Sequence, residues 1–319
     1  MKRIGTRSAP KGDLHWRQSL MALFFSMGVV TVSGVFAGDY SGHQDVQGVI
    51  ATAEEAGVEP AWAMDLIESA ERQQSILDAI ARPAEKTMPW YEYRKIFLTE
   101  RRIREGVAFW YANSAVLETV SERSGVPAEI IVAIIGVETY YGRISGSYRV
   151  IDALATLAFD YPRRSAFFTR ELEQFLVLAW ESNKDPLAMK GSYAGAMGYG
   201  QFMPSSYRAY ATSFEGGSAP DIWDNVADAI SSVGNYLRAH GWRTADGVVV
   251  DAIADDAEHA IFDAGLKPGL TVAELALVGV RPLETLTPST VVTPLRLEEQ
   301  SGPRHWLGLQ NFYVITRYN

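Results

Sequence analysis

Residues 127–142, PAEIIVAIIGVETYYG, restrict the possible folds more than any other stretch. The eight residues from Ile130 to Val137 carry no charge and hardly a polar atom, and Glu138 follows them at once. An apolar run of that length is either a buried strand or part of a buried helix. The flanks predict a helix: Pro127 fits a first-turn position, Glu129 suits the positive N-terminal end, and Gly142 supplies a stop. A helix apolar all round belongs in the interior. Ile134 and Ile135, four and three residues before Glu138, put the carboxylate on a face shared with core residues. Apolar surroundings and the negative end of the helix dipole both disfavour its ionised form. Its pKa is therefore expected above the usual carboxylate range, which suits a general acid working near neutral pH. The competing reading is a glutamate that snorkels to solvent or pairs with Arg143, and periodicity alone leaves both open.

The 319 residues suffice for one large domain or two modest ones. There is no cysteine, which removes disulfides, thiolate metal sites, Cys nucleophiles and a lipid anchor on an N-terminal Cys. Residues 1–37 read as a signal peptide: Lys2, Arg3, Arg7, Lys11 and Arg17 precede the apolar LMALFFSMGVVTVSGVFA, with Val35-Phe36-Ala37 as a small-residue cleavage pattern. An uncleaved anchor is the alternative, although the purely apolar run is short for a span. No other segment is apolar enough to cross a membrane. Cleavage would take five basic residues and one acidic residue from 29 Lys+Arg and 38 Asp+Glu, leaving 24 against 37, a formal charge of −13. So acidic a chain is not expected to bind nucleic acid.

Taken in order, residues 38–98 form an N-terminal segment with one predicted helix from Pro60 to Arg82, ended by Pro83. An aromatic loop over 86–97 follows, carrying Trp90, Tyr91 and Tyr93. Residues 99–244 form a helical core. Its predicted helices are Thr99 (N-cap) to Arg123, stopped by Gly125; the Glu138 helix; 151–160; 162–182; 204–212; and 223–240. Arg163 and Arg164 stand in the first turn after Pro162. Cations there oppose the helix dipole, so either they are simply solvated or they clamp a ligand carboxylate or carbonyl. Residues 245–319 change texture. The segments at 247–254, 290–297 and 311–318 read as strands, with a short helix near 271–278. The expected fold class is mainly α, with a small strand-containing appendage.

A second unusual stretch, KGSYAGAMGYGQFMPSS (190–206), holds four glycines in seventeen residues, which permit tight turns and close backbone approach to a ligand. Lys190-Gly191-Ser192 has the wrong order for a phosphate loop, and Gly195, Gly198 and Gly200 lack dinucleotide spacing. Gln201 in such a loop can point its amide into a cleft. The five histidines form no H-E-x-x-H pair and no G-x-S-x-G elbow occurs, which argues against metalloprotease and serine-hydrolase chemistry.

The runs GVETYYG (136–142), DALATLAFDYPRR (152–164), KGSYAGAMGYGQFMPSSY (190–207) and WDNVADAISSVGNYLRAHGW (223–242) closely resemble the lytic murein transglycosylase B family. The likeness extends from about PWYEYR (89–94) to NFYVITRYN (311–319). It implies a lysozyme-like helical core and cleavage of the β-1,4 bond between N-acetylmuramic acid and N-acetylglucosamine in peptidoglycan. No water is used: one Glu protonates the leaving oxygen, the muramyl acetamido carbonyl assists, and the same Glu then activates the C6 hydroxyl to give a 1,6-anhydromuramyl end. This is a substrate-assisted variant of glycoside cleavage. Carried over by motif, Glu138 is the catalytic acid/base. Ser192 and Gln201 contact acetamido groups and orient the acid; Tyr93, Arg163, Arg164 and Tyr236 line the cleft; Tyr318 and Asn319 match a Tyr-Asn pair at the site.

The resemblance implies no cofactor. It gives peptidoglycan glycan strands as substrate, cell-wall synthesis enzymes as possible partners, and a periplasmic location without a lipoprotein Cys. Relatives often carry an EF-hand-like calcium loop. Here SFEGGSAPDIWD (213–224) has Ser213 and Gly217 at the first and fifth positions, and Glu215, Asp221 and Asp224 are too few for a tight cage, so no metal site is expected. The chain also stops at Asn319, short of the family's final segment, so the appendage is expected to be truncated. Two alternatives stay open: a goose-type muramidase using Asp152 or Asp160 as a second carboxylate, and a non-catalytic peptidoglycan-binding protein.

Overall fold

In the computed structural model, the described residues are 39–81, 88–182, 184–217, 219–255 and 259–318. The signal segment expected at 1–37, and Asn319, lie outside them. The 127–142 stretch forms a helix over Ala128–Thr139, with Pro127 preceding it and Glu129 in its first turn. It ends at Thr139, three residues before the expected stop at Gly142. Tyr140 (φ 53°) and Tyr141 (φ 60°) already adopt left-handed backbone, followed by Gly142 (φ 84°). The N–H groups of Tyr140 and Tyr141 bond to the carbonyls of Gly136 and Ile135, satisfying acceptors left over at the helix end.

In chain order the helices are α1 (Val46–Glu55), α2 (Pro60–Glu68), α3 (Gln74–Ala81), α4 (Trp90–Phe97), α5 (Glu100–Ala112), α6 (Ser114–Ser124), α7 (Ala128–Thr139), α8 (Val150–Asp160), α9 (Ser165–Glu181), α10 (Pro204–Tyr210), α11 (Val226–Ala239), α12 (Val272–Leu277) and α13 (Gln310–Thr316). The strands are β1 (Tyr148–Arg149), β2 (Lys190–Gly191), β3 (Val249–Ala254), β4 (Leu270–Thr271), β5 (Val280–Pro282), β6 (Val291–Glu299) and β7 (Gly302–Gly308). β1 and β2 form a small antiparallel pair, Tyr148 opposite Gly191. The other five make an antiparallel sheet of order β4-β6-β7-β3-β5. The chain is mainly helical with a small strand-bearing region, as the sequence predicts, and the described residues pack as one unit.

The helix surrounded by core on all sides is α8, buried from Val150 to Ala158. In α7, Ala133 and Val137 face outward, so that helix has one solvent stripe. Helix α9 packs against α8, and its Phe168, Leu172, Phe175 and Leu176 are all buried. Side chains of this size stabilise by roughly 1.5–3 kcal/mol each on full burial. A second, smaller core under the sheet joins Val250, Leu275, Val280, Val292 and Leu307.

Four expected elements differ, each for a reason the structure shows. The helix expected over 60–82 breaks after Glu68. There Asp152 Oδ1 accepts the Glu71 N–H (2.9 Å) and Thr156 Oγ1 accepts the Gln73 N–H (3.0 Å), drawing that backbone onto α8. The helix expected over 99–123 is two, because Asn113 turns its amide onto the Phe109 carbonyl (2.8 Å). The expected loop at 86–97 is helical from Trp90, entered through Pro89 with Glu92 and Lys95 paired at 2.8 Å. Residues 311–318 form α13 and not a strand. Asn311 bonds to the backbone of Arg243 and Asp246, and Val314 is fully buried, so tertiary packing overrides β propensity.

Candidate active site

Two backbone features converge at the C-terminal end of α7. Thr139 Oγ1 donates to the Tyr199 carbonyl (2.8 Å) and accepts from the Gly142 N–H (3.0 Å), stitching the helix end to the glycine-rich loop. Any Cβ on Gly142 would run into the Tyr199 ring, so this seam requires glycine. Glu138, the residue before Thr139, is partly exposed at the seam.

Helix α5 braces the strained turn behind it. The Tyr141 ring packs between Gly106 of α5 and Gly136 of α7, and a Cβ on Gly136 would lie 2.7 Å from Tyr141 Cε1. Arg102 donates to the Gly136 carbonyl (2.7 Å) and stacks its guanidinium over the Tyr140 ring (4.4 Å). Arg143 reaches Glu105 at 3.4 Å, with Arg101 on the same oxygen at 3.0 Å. The Tyr140 hydroxyl foremost, and then these arginines, hold the Glu105 carboxyl below its ordinary range against the opposing effect of desolvation. Two non-glycine residues at positive φ are costly, and here the surrounding contacts hold them in place.

The glycine-rich loop presents two polar groups with restricted roles. Ser192 Oγ accepts from the N–H groups of Ala194 (3.2 Å) and Ala196 (3.1 Å), which leaves its proton for an external acceptor. Gln201 sits at φ 51°, and its Nε2 donates to the carbonyls of Ser145 (3.2 Å) and Gly198 (3.0 Å). Its Oε1 then serves as the acceptor it can offer a ligand.

Tyr318 closes the other side. Its hydroxyl donates to the Gly200 carbonyl at 2.7 Å, and its ring lies 4.7 Å from Tyr236 and 5.8 Å from Phe202. Burial first, and then the charge of Glu138, push its phenol well above the ordinary value, so it stays a neutral donor. The Tyr236 hydroxyl donates to the Arg317 carbonyl, and its ring stacks on His240 at 4.0 Å. Tyr236 is nearly buried, and its bond anchors the end of α13.

The structure thus brings Glu138, Gln201 and Tyr318 around one seam, with Ser192 on the same loop. Among the described contacts, Arg163 and Arg164 meet none of these. Both are exposed on a short 3₁₀ turn, with Arg164 stacked on Phe167 at 4.4 Å. Tyr93 lies on α4 between Trp90 and Phe97, on the element that contacts β6 through Arg94 and Glu299 (3.1 Å). Thr139, Arg102, Gly136 and Tyr199 were missed by sequence reasoning. The one available signal was a glycine inside a helix, which costs about 1 kcal/mol against alanine and so points to close packing.

The remaining buried carboxylates are committed to structure. Asp152 takes a two-pronged bond from Arg149 (2.7 and 2.8 Å) besides the Glu71 N–H. Glu171 accepts from both the N–H and hydroxyl of Ser205, and Asp228 from the N–H groups of Phe214 and Asp221. The partly exposed Asp160 accepts from Tyr40 (2.6 Å) and Arg72 (3.1 Å). In the 213–224 loop, Lys184 Nζ lies 2.8 Å from Asp221 and 3.4 Å from Asp224. No cluster of three or more His, Cys, Asp or Glu arranged to hold a metal occurs among the described residues. A cavity of about 830 Å³ lies at the opposite end of α7, where Glu118, Glu122 and Glu129 are exposed to solvent.

A mainly helical body with a polar seam around a helix-end carboxylate gives this fold a candidate acid/base site. Residues 41–319 match the family described as "Transglycosylase SLT domain", and the chain belongs to it. It is 40% identical over 300 residues to membrane-bound lytic murein transglycosylase B of Escherichia coli, spanning 91% of this chain and 81% of that one. Its structure is similar to that of the soluble lytic transglycosylase SltB1 from Pseudomonas aeruginosa in its catenated form. The TM-score is 0.84 at 47% identity, over 88% of this chain and 93% of that one. It is also similar to SltB3 from Pseudomonas aeruginosa, solved with NAG-anhNAM-pentapeptide. Here the TM-score is 0.75 at 29% identity, over 86% and 74% of the two chains. The protein is a lytic transglycosylase acting on peptidoglycan.

Proposed function

We propose that Glu138 is the single acid/base of a reaction that leaves 1,6-anhydromuramyl ends. The observation that carries this reading is its position beside Thr139, where α7 meets the glycine-rich loop, with its charge felt by Tyr318. Protonated Glu138 gives its proton to the glycosidic oxygen as the bond to the muramyl C1 breaks. The acetamido carbonyl oxygen bonds to C1, and Gln201 Oε1 accepts from the acetamido N–H. The Glu138 carboxylate then takes the proton of the muramyl C6 hydroxyl, whose oxygen displaces the carbonyl at C1 and closes the anhydro ring. Proton and leaving group balance without water.

Two facts support this over hydrolysis. Asp152 and Asp160, the carboxylates that might have held a water, are engaged by Arg149 and by Tyr40 and Arg72. SltB3, a relative, has been solved with an anhydromuramyl ligand. Ser192 serves as a substrate donor, and Tyr318, whose proton is held by the Gly200 carbonyl, walls the site. Tyr93, Arg163, Arg164, Tyr236 and Asn319 are assigned to the extended cleft on resemblance. Wall-polymer chemistry and the basic-then-apolar residues 1–37 favour export to the periplasm. Among the described residues no helix is long and apolar enough to cross a membrane.

The deciding experiment is mass spectrometry of purified peptidoglycan after incubation with the protein and with Glu138→Gln. Anhydromuramyl products are expected, falling by about 10²–10⁴-fold in the variant. Reducing muramyl ends would replace this reading with a muramidase. Binding without any product would leave a peptidoglycan-binding protein.

A further inference from the structure

We propose that the cavity between α6, α11 and the segment entering the 213–224 loop is a site for a phosphate group, free or as a monoester. The proposal stands apart from the glycan-cleavage reading, because no residue of that reading lines the cavity.

The cavity holds about 330 Å³, at the lower end for ligand pockets, and is lined by Val120, Arg123, Thr212, Ser231, Asn235 and Arg238, among others. None of its described lining residues is Asp or Glu, against the trend of a chain with 38 Asp+Glu and 29 Lys+Arg. Three elements supply its donors. Arg123, at the end of α6, donates through Nη1 to the Phe214 carbonyl (3.1 Å) and lies 5.2 Å from that ring. That contact holds the guanidinium on the 212–214 side, although Arg123 also borders the cavity that Glu118 and Glu122 line. Arg238, in the last turn of α11, donates through Nη2 to Asn235 Oδ1 (2.8 Å). Thr212 Oγ1 and Ser231 Oγ lie 2.8 Å apart; one donates to the other, so one proton of the pair is left for a ligand.

Arginines in last helical turns often serve the helix's own terminal carbonyls. Here other donors do so. The Val120 carbonyl takes the Ser124 hydroxyl (2.6 Å), and the Ser121 carbonyl takes the Gly125 N–H (2.8 Å). The carbonyls of Tyr236, Leu237 and Arg238 take the N–H groups of His240, Trp242 and Gly241. Asp228, the acidic residue of α11, has both oxygens engaged by the N–H groups of Phe214 and Asp221. Neither guanidinium is ion-paired among the described residues, and each keeps N–H groups beyond the bond it makes. Geometry then selects the ligand. A planar carboxylate matches one guanidinium fork and leaves the other donors unmet. A phosphate presents its oxygens in a tetrahedron and carries close to two negative charges at pH 7, so donors from three elements can each find an oxygen.

Calorimetry of the whole protein with inorganic phosphate, in a zwitterionic buffer, tests this. One saturable site is expected, weakened about tenfold or more in Arg123→Gln and in Arg238→Gln, with acetate weaker than phosphate by a similar factor. Arg238 bonds only within α11, so Arg238→Gln keeps the test decisive should Arg123→Gln unsettle the 212–214 segment. Thermal unfolding shows that each variant is folded. Two further probes identify the source. Binding to phosphatidylcholine vesicles containing phosphatidate, lost in Arg238→Gln, supports the site with a lipid headgroup as ligand. Binding of glycerol phosphate without vesicle binding supports it with a soluble ester. No saturable phosphate binding up to about 10 mM overturns the proposal, and so does equal phosphate binding by wild type and both variants, or acetate binding as tight as phosphate.

Discussion

The Thr139 hydroxyl donates to the Tyr199 carbonyl at 2.8 Å, one residue after the candidate acid and two before the candidate amide Gln201. A single side chain therefore sets the distance between the two groups that the reaction needs to hold in register. Placement within about half an ångström is what such catalysis demands, and a rigid helix end supplies it better than a free loop.

Replacing Gly136 with alanine should destabilise the protein. On helix propensity alone the change favours folding by about 1 kcal/mol. The added Cβ would lie 2.7 Å from the Tyr141 ring, and overpacking of that kind costs about 1–3 kcal/mol. Denaturant unfolding of Gly136→Ala gives the net sign, and a gain in stability would show that the tyrosine moves aside freely.

Gln201→Gly should separate stability from activity. Gln201 occupies left-handed backbone, which glycine adopts without strain. Stability should stay within about 1 kcal/mol of wild type, while turnover falls with the amide. Equal turnover would remove Gln201 from the mechanism.

Activity is expected to fall on the alkaline side as Glu138 loses the proton it must donate. The buried Ile134 is one turn away on the same helix. Ile134→Asn makes the surroundings more polar, favours the carboxylate, and should move the basic limb of the pH–rate profile to lower pH. An unmoved limb, in a variant shown to be folded, would assign that limb to another group.

Lys184→Met should weaken the 213–224 loop. Burial raises the Asp221 carboxyl, but Lys184 and the N–H groups of Asp224 and Trp223 outweigh that, so its net pKa is lowered. A lowered carboxylate contributes stability above its unfolded pKa of about 3.9 and loses it as pH falls through the folded value. The half-exposed pair is worth about 0.5–1 kcal/mol after solvent screening. Thermal unfolding should therefore separate wild type from variant at pH 7 and bring them together in acid. A gap independent of pH would show that the lysine acts through packing.

The Glu138 helix was legible because its apolar run, proline and acidic first turn all agree. The breaks at 69–73 were not, because the side chains that cause them, Asp152 and Thr156, lie some eighty residues away in sequence. Residues 311–318 misled in the opposite sense: aromatic and β-branched residues pattern as a strand, yet Asn311 finds its partners at Arg243 and Asp246 only once the chain has folded back. Strand β7, GPRHWLG, opens with glycine and proline and shows little alternation, so periodicity passed over it. At the site, the glycine-rich loop itself pointed to Gln201, and motif likeness supplied Ser192 and Tyr318. The bracing by Arg102 and Gly106 is a long-range fit that no spacing displays.

The clasp of Tyr318 on Gly200 and of Tyr236 on Arg317 spans 118 and 81 residues of sequence. Contacts of that range form late in folding, after the chain closure they require. Local opening that frees α13 would leave α7 and its carboxylate intact while dissolving the wall of the cleft. Hydrogen exchange at 310–318 would then report the fraction of molecules able to cut, and a protease that trims that helix would act as an off-switch without touching the acid.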